Sequence, residues 1–152
     1  QEKETVLDDL EQIYEKTRDI SREYNALDLN IDFSELLKDL LLGYKNEEVN
    51  IITKGLSQLE INNINIPKKT VIYRVIQELM TNMKKHSHAS IVILTFKKVK
   101  DKIQIIYTDD GVGCDIKKSN GLLNAENRIH ILNGNLTLSS EKNKGFKATI
   151  LI

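Results

Sequence analysis

Four side chains in one predicted helix, from Tyr73 to Ala89, are of the types that hold a metal-bound polyphosphate. Glu78 and Asn82 are four residues apart, so they lie one above the other on a helix, and Lys85 and His86 follow one turn later. Magnesium prefers oxygen ligands and keeps several waters, so one or two protein oxygens beside phosphates suffice, and a cation offsets the phosphate charge. This edge therefore predicts Mg²⁺ and phosphate binding. The alternative is a surface helix with a solvated polar edge.

A second polar cluster follows a predicted strand farther along the chain. Residues 103–107 (IQIIY) are typical of a strand, and Asp109, Gly111 and Gly113 come soon after it. Two glycines separated by one residue allow a tight turn and a close approach of the backbone to a ligand. The Asp109 carboxylate can accept a hydrogen bond from an exocyclic amine. The two clusters in this order are stronger evidence for a ligand-binding site than either cluster is alone.

These motifs resemble those of the sensor histidine kinases. Residues 77–89 (QELMTNMKKHSHA) are similar to the N box of the subfamily that has Q-E-x-x-x-N-x-x-K-H-x-x-A, and 109–113 (DDGVG) resemble the G1 box. Residues 121–128 (GLLNAENR) and 132–136 (LNGNL) resemble the segment that follows a short ATP lid and its continuation. The resemblance covers Asp32 to Ile152, and four ordered motifs make it specific.

The resemblance implies a role for each matching residue. Asn82 would chelate the Mg²⁺ that bridges the phosphates of ATP, and Glu78 would orient the metal or its water. Lys85 and His86 would lie near the phosphates, and Asp109 would bind the adenine amino group. Gly111 and Gly113 would let the backbone approach the base and the sugar of the nucleotide closely. Gly121 and Leu122, at the start of the helix after the lid, would lie near the phosphates.

The chain departs from the family pattern at several positions. Ser119 replaces the first glycine of a G-x-G-L segment, and Lys147 and Ala148 replace the second glycine and the threonine of a G-x-G-T segment. Asp110 occupies a position where many relatives have asparagine. These changes leave the nucleotide affinity and the lid geometry open.

The order of predicted elements is typical of an α+β fold. A helix, a strand, the long helix, a strand pair, another helix and two strands give a mixed sheet with helices on one face. The resemblance specifies a Bergerat-type two-layer α/β sandwich. We expect residues 28–152 to form this ATP-binding domain, and residues 1–27 to be the second helix of a dimerisation and phosphotransfer hairpin.

The long N-terminal helix is predicted from residues 1–26, which lack Gly and Pro. Apolar and related side chains recur there at steps of four and three, and form a heptad-like seam at Val6, Leu10, Ile13, Thr17, Ile20, Tyr24 and Leu27. Such a seam requires a partner helix, and in the family this is the hairpin of a homodimer. The alternative is that the helix packs on its own globular domain.

The composition limits which classes of partner the chain can have and which cellular compartment it fits. Lys+Arg and Asp+Glu balance at 22 each without a basic run, which argues against nucleic acid as the main partner. No apolar run approaches the ~18 residues of a membrane span. We therefore expect no direct membrane contact by these residues, although the parent protein could be membrane-anchored. The single cysteine, Cys114, fits a reducing, cytoplasmic compartment.

The implied activity is that of a protein histidine kinase, which transfers the γ-phosphoryl group of ATP with Mg²⁺. Because His86, His88 and His130 match no phosphoacceptor box, we expect the acceptor histidine outside residues 1–152, with relay of the phosphate to a response regulator. A zinc-type pair of His86 and His88 is not favoured, since no third ligand has a fitting spacing. The alternatives are a GHKL-type ATPase and a degenerate nucleotide-binding or dimerisation module without turnover.

Overall fold

A computed structural model describes residues 6–14, 32–113 and 120–152. Residues 6–14 are helical (α1), and the other elements are the helices α2 (Phe33–Leu42), α3 (Ile66–Asn82) and α4 (Asn120–Ile131) and the strands β1 (Asn50–Lys54), β2 (Ile91–Val99), β3 (Lys102–Asp109), β4 (Asn135–Ser140) and β5 (Phe146–Leu151). Two short 3₁₀ helices, Leu56–Gln58 and Ile61–Asn63, connect β1 to α3. A π-helical turn, Met83–Ser87, follows α3 and is called the π turn below.

The five strands form one mixed sheet in the order β1-β2-β3-β5-β4. β1 is parallel to β2, and the other neighbouring pairs are antiparallel. Because β1 and β2 are parallel, the chain crosses over between them, and α3 lies in that connection. α4 lies in the connection from β3 to the edge strand β4. Both helices that carry the predicted site residues are therefore crossover helices.

One face of the sheet is buried under the helices. In the three central strands every second side chain is buried, namely Val92, Leu94 and Phe96 in β2, Ile103, Ile105 and Tyr107 in β3, and Phe146, Ala148 and Ile150 in β5. The alternate side chains on the opposite face are half-buried or exposed. This period of two is that of a sheet with one covered face. The predicted α+β class with helices on one face is confirmed.

Helix α3 forms the centre of the covering layer. Asn65 caps its first turn by accepting a hydrogen bond from the Lys68 N–H at 2.9 Å, and Pro67 lies in that turn, where it removes no helical hydrogen bond. Its apolar side chains at three- and four-residue spacing are buried, namely Ile72, Val75, Ile76, Leu79 and Met80. α3 packs against both α2 and α4. The buried side chains of α3 also belong to the same hydrophobic core as those of the sheet, so α3 connects the other helices to the sheet.

Helix α2 closes one side of this layer. It buries Phe33, Leu37 and Leu41, and Asp32 caps it by accepting from the Ser34 and Glu35 N–H groups. The Asn62 side-chain amide and the Glu35 N–H hold the pKa of Asp32 below its usual range. Asp32 thus caps the start of α2 and also joins it to the second 3₁₀ helix through Asn62.

The helix predicted over Tyr73–Ala89 differs from the structure at both ends. It begins earlier, at Ile66, and its α-helical part ends at Asn82, after which the chain widens into the π turn. His88 then adopts a left-handed conformation (φ 51°) and ends the helical run. Side-chain periodicity alone does not distinguish α from π geometry over a single turn.

Helix α1 leaves its apolar side chains accessible. Val6, Leu10 and Ile13 of the predicted seam are each more than half exposed. The rest of the seam, the boundary at residues 27 and 28, Cys114 and Ser119 lie outside the described residues. Among the helices that the structure describes, none has the length and apolar character needed to cross a bilayer.

The core position of α3 gives a test of the packing. Ile76→Ala is expected to lower the free energy of unfolding by about 2–5 kcal/mol, because truncation of a fully buried side chain leaves a cavity. Ile131→Ala is the matched control, since this isoleucine on α4 is 78% exposed, and a change below about 0.5 kcal/mol is expected. Urea unfolding measures both, and equal losses in the two variants would contradict the assigned core.

Candidate functional site

A pocket opens where α3, the π turn, the end of β3, the start of α4 and the start of β5 meet. The side chains and backbone that line it are Leu79, Asn82, Met83, His86, Ser87, Tyr107, Asp109, Gly113, Leu122 and Phe146. Most of these are apolar, and a few polar groups converge among them. That combination is typical of a small-molecule site, in which apolar walls exclude water and the polar groups fix orientation.

The Asp109 carboxylate is held in a fixed orientation at the end of β3. The Tyr107 hydroxyl donates to Asp109 Oδ2 at 2.7 Å, and the Gly111 N–H donates to Asp109 Oδ1 at 2.9 Å. The Tyr107 ring is itself buried and packs edge-on against Phe146, with 6.0 Å between the ring centroids. A carboxylate oxygen accepts more than one hydrogen bond, so Asp109 keeps acceptor capacity for a ligand.

The turn at the end of β3, residues 109–113, packs directly against the π turn. The Val112 N–H donates to the Ser87 carbonyl oxygen at 2.8 Å, and the Asn143 N–H donates to the Val112 carbonyl oxygen at 2.9 Å. A Cβ atom at Gly111 would collide with both the hydroxyl and the carbonyl oxygen of Ser87. Only glycine therefore allows the two turns to approach this closely.

Asp110 anchors the same turn from its other side. Its Oδ1 accepts from the Ser90 N–H at 2.8 Å and from the Ile91 N–H at 2.9 Å. These two hydrogen bonds, that of Ile91 first, hold the pKa of Asp110 below its usual range, although partial burial acts in the opposite direction. Asp110 is thus bound to the start of β2 rather than placed among the residues that line the pocket.

The predicted site residues come together as follows. Asn82, His86, Asp109, Gly113 and Leu122 line the one pocket. Gly111 abuts Ser87, and Gly121 at the start of α4 abuts the Glu78 carboxylate on α3. Lys85 is exposed and, among the described residues, is not one of those that line the pocket.

The other histidines lie elsewhere. His88 ends the helical run outside the lining of this pocket, and His130 lies on α4 with its imidazole 3.9 Å from the Glu126 carboxylate. Within the described residues, no group of three His, Cys, Asp or Glu side chains could hold a metal ion.

Sequence reasoning missed two polar residues of the site. Tyr107 precedes Asp109 by two positions in a strand, so the alternation of the strand could have placed both on one face. Ser87 falls at an unspecified position of the N-box pattern. Its place over Gly111 depends on the π turn, for which the sequence carried no signal.

No family profile matches the chain. The sensor histidine kinase ComP of Bacillus subtilis (strain 168) is 36% identical over 96 residues, which are 59% of this chain and 12% of ComP. The sensor histidine kinase YvfT of the same organism is 33% identical over 84 residues, 54% of this chain and 23% of YvfT. The chain is related to the sensor histidine kinases. It spans less than a quarter of the length of these two relatives.

The structural comparison agrees with this relationship at the level of the fold. The blue-light activated histidine kinase of Erythrobacter litoralis EL346 has a TM-score of 0.69 at 17% sequence identity, over 91% of this chain and 49% of that chain. Both the resemblance to sensor histidine kinases and the expected fold class are confirmed. The roles of the individual residues remain predictions.

The close contacts of two glycines give a test of the site's construction. Gly111→Ala is expected to lower the free energy of unfolding by about 2 kcal/mol or more, because its methyl group would meet the backbone of Ser87. Gly121→Ala is the control. There the colliding atom is the end of the flexible Glu78 side chain, and alanine improves helix propensity by about 1 kcal/mol. Thermal unfolding of both variants measures the difference, and a more stable Gly111→Ala variant would refute the contact.

Proposed function

We propose that this chain binds ATP with Mg²⁺ and serves as the catalytic ATP-binding domain of a protein histidine kinase. It would transfer the γ-phosphoryl group to a histidine outside residues 1–152, for relay to a response regulator in two-component signalling. The observation that carries the proposal is that Asn82, His86 and Asp109, which come from separate motifs, line one pocket. The relationship to sensor histidine kinases supports the same conclusion.

Asp109 is proposed to recognise the adenine base. Its carboxylate is an acceptor only, so it pairs with the exocyclic amine of adenine and opposes the carbonyl oxygen that guanine presents there. The hydrogen bonds from Tyr107 and Gly111 orient it before the ligand arrives, which lowers the cost of ordering on binding. The glycines at 111 and 113 would let the backbone approach the base and the sugar.

Asn82 is proposed to hold the magnesium ion. The site has an amide oxygen on Asn82 and a carboxylate one helical turn earlier on Glu78, and magnesium usually takes one or two protein oxygens, substrate phosphates and waters. The donor set therefore fits Mg²⁺ better than a metal that needs an all-protein cage. When bound, the ion would neutralise negative charge on the phosphates. Glu78 would orient the metal or its water.

The phosphates are proposed to extend from Asn82 toward the end of the π turn and the start of α4. His86 lines the pocket, and Lys85 beside it has a long flexible stem that could bring its ammonium group to a phosphate. Gly121 and Leu122 lie at the start of α4, where the positive end of the helix dipole favours anions. Positioning and charge neutralisation would supply most of the catalysis.

The partners of the longer protein are proposed from the exposed helix. The half-exposed apolar side chains of α1, among them Val6, Leu10 and Ile13, suit pairing in a helical bundle, so a homodimer through hairpin helices is expected. The balanced charge offers no support for a nucleic-acid partner. A cytoplasmic location is proposed from the relationship to sensor kinases.

The binding assignments are tested by calorimetry with ATP at saturating Mg²⁺. Asn82→Ala is expected to lower the Mg²⁺-dependent affinity by about tenfold or more, and Asp109→Asn to reduce the binding free energy by about 1–3 kcal/mol. The exposed Asn124→Ala and Asp101→Asn are the matched controls and should bind like the unmutated chain. Equal affinity of the unmutated chain for ATP and GTP would refute the role of Asp109.

The site of phosphorylation is tested with labelled ATP. The 152-residue chain alone is expected to bind ATP without labelling itself, because its three histidines match no phosphoacceptor site. A longer protein that includes the hairpin should become labelled with an acid-labile, base-stable phosphoramidate. Stoichiometric label on His86, His88 or His130 in the isolated chain would show that the acceptor was misplaced. ATP hydrolysis without any transfer would instead favour the ATPase alternative.

A further inference from the structure

Ser87 carries a buried hydroxyl without a partner in the described part of the chain. The residue is 6% exposed, and its Oγ is shielded from solvent without accepting or donating a hydrogen bond there. Buried hydroxyls in native proteins nearly always have a partner, and an exception at a functional site requires an explanation. The orphaned hydroxyl belongs to a residue that lines the pocket.

The position of this hydroxyl is fixed from two directions. Ser87 is the last residue of the π turn, and its carbonyl oxygen accepts from the Val112 N–H at 2.8 Å. Its Oγ lies where a Cβ of Gly111 would be, and the Gly111 N–H in turn donates to Asp109. The Ser87 hydroxyl therefore lies against the backbone of Gly111, whose N–H binds the Asp109 carboxylate, and both Ser87 and Asp109 line the same pocket.

The two groups complement each other chemically. Asp109 can only accept, whereas a serine hydroxyl can donate. The edge of adenine presents a donor, the 6-amino group, next to an acceptor, the ring nitrogen N1. Guanine presents the inverse pair, an oxygen at position 6 and an N–H at position 1. A carboxylate with a neighbouring hydroxyl donor matches adenine at both atoms, and a carboxylate alone matches it at one.

Tyr107 does not supply this donor, because its hydroxyl proton is already directed to Asp109 Oδ2 at 2.7 Å. We propose that Ser87 is a second base-reading residue, whose hydroxyl donates to N1 of adenine directly or through one water. Ser87 and Asp109 then select adenine together. This assignment rests on the proposed binding of ATP.

The test compares Ser87→Ala with the unmutated chain, with two ligands that differ at one ring atom. For ATP, the variant is expected to bind roughly three- to tenfold more weakly, the range for loss of one hydrogen bond. For 1-deaza-ATP, in which a C–H replaces N1, both proteins are expected to bind equally. The exposed serine variant Ser57→Ala is the matched control and should bind both ligands as the unmutated chain does.

Thermal unfolding without nucleotide separates recognition from packing. Removal of an unsatisfied buried hydroxyl is expected to leave the melting temperature of Ser87→Ala unchanged or higher. A purine triphosphate that lacks the 6-amino group provides a second readout. It should still lose affinity on Ser87→Ala, because N1 is present, and should be insensitive to Asp109→Asn.

The outcomes separate the two proposals. If the unmutated chain binds no ATP, the proposed function fails, and the role of Ser87 fails with it. If ATP binds but Ser87→Ala has the same affinity, or loses ATP and 1-deaza-ATP equally, the role of Ser87 alone is refuted. Loss confined to ligands that contain N1 supports it.

Discussion

The approach of Gly111 to Ser87 is the constraint on which the site depends. The turn after β3 and the turn after α3 meet there without room for a side chain, and the Val112 N–H bonds across the junction at 2.8 Å. Because Asn82 lies just before one turn and Asp109 just before the other, this contact sets their relative placement. The sheet supplies the rigid support, since Asp110 binds the start of β2.

The hydrogen bonds around Asp109 show how the fold prepares a single functional group. Tyr107 and Gly111 each donate to one oxygen of the carboxylate, and the buried Tyr107 ring packs edge-on against Phe146. A carboxylate held in this way loses little conformational freedom when a ligand binds. The hydrogen bonds and the ring packing at this end of the pocket therefore orient one hydrogen-bond acceptor, the Asp109 carboxylate.

Much of the fold could be predicted from the sequence, because its signals are local. The stripe of apolar residues in α3 and the alternation in β2 and β3 follow from helical and strand periods, and both agree with the observed burial. Residue type and spacing predict Asn82 and Asp109 as site residues, and both line one pocket in the structure. Their common pocket then follows from the confirmed fold.

The remaining features depend on contacts between distant segments. No residue pattern distinguishes the π turn at 83–87 from a continued α-helix, so the place of Ser87 could not be predicted. Asp110 occupies a position where many relatives have asparagine, and the sequence does not indicate its function. Its hydrogen bonds to Ser90 and Ile91 depend on the start of β2 lying beside it in the fold. Lys85 matched its motif in sequence, yet its side chain is exposed.

The bond from Asn143 to Val112 has a consequence for how the protein reaches its folded state. This bond and the one from Val112 to Ser87 join three segments that are far apart along the chain. Contacts between residues far apart in sequence carry an entropic cost of closing the intervening loop, and they tend to form slowly during folding. The motifs themselves are continuous in sequence, but a peptide containing any one of them would not retain the pocket. We therefore expect the site to form only once all strands of the sheet have paired.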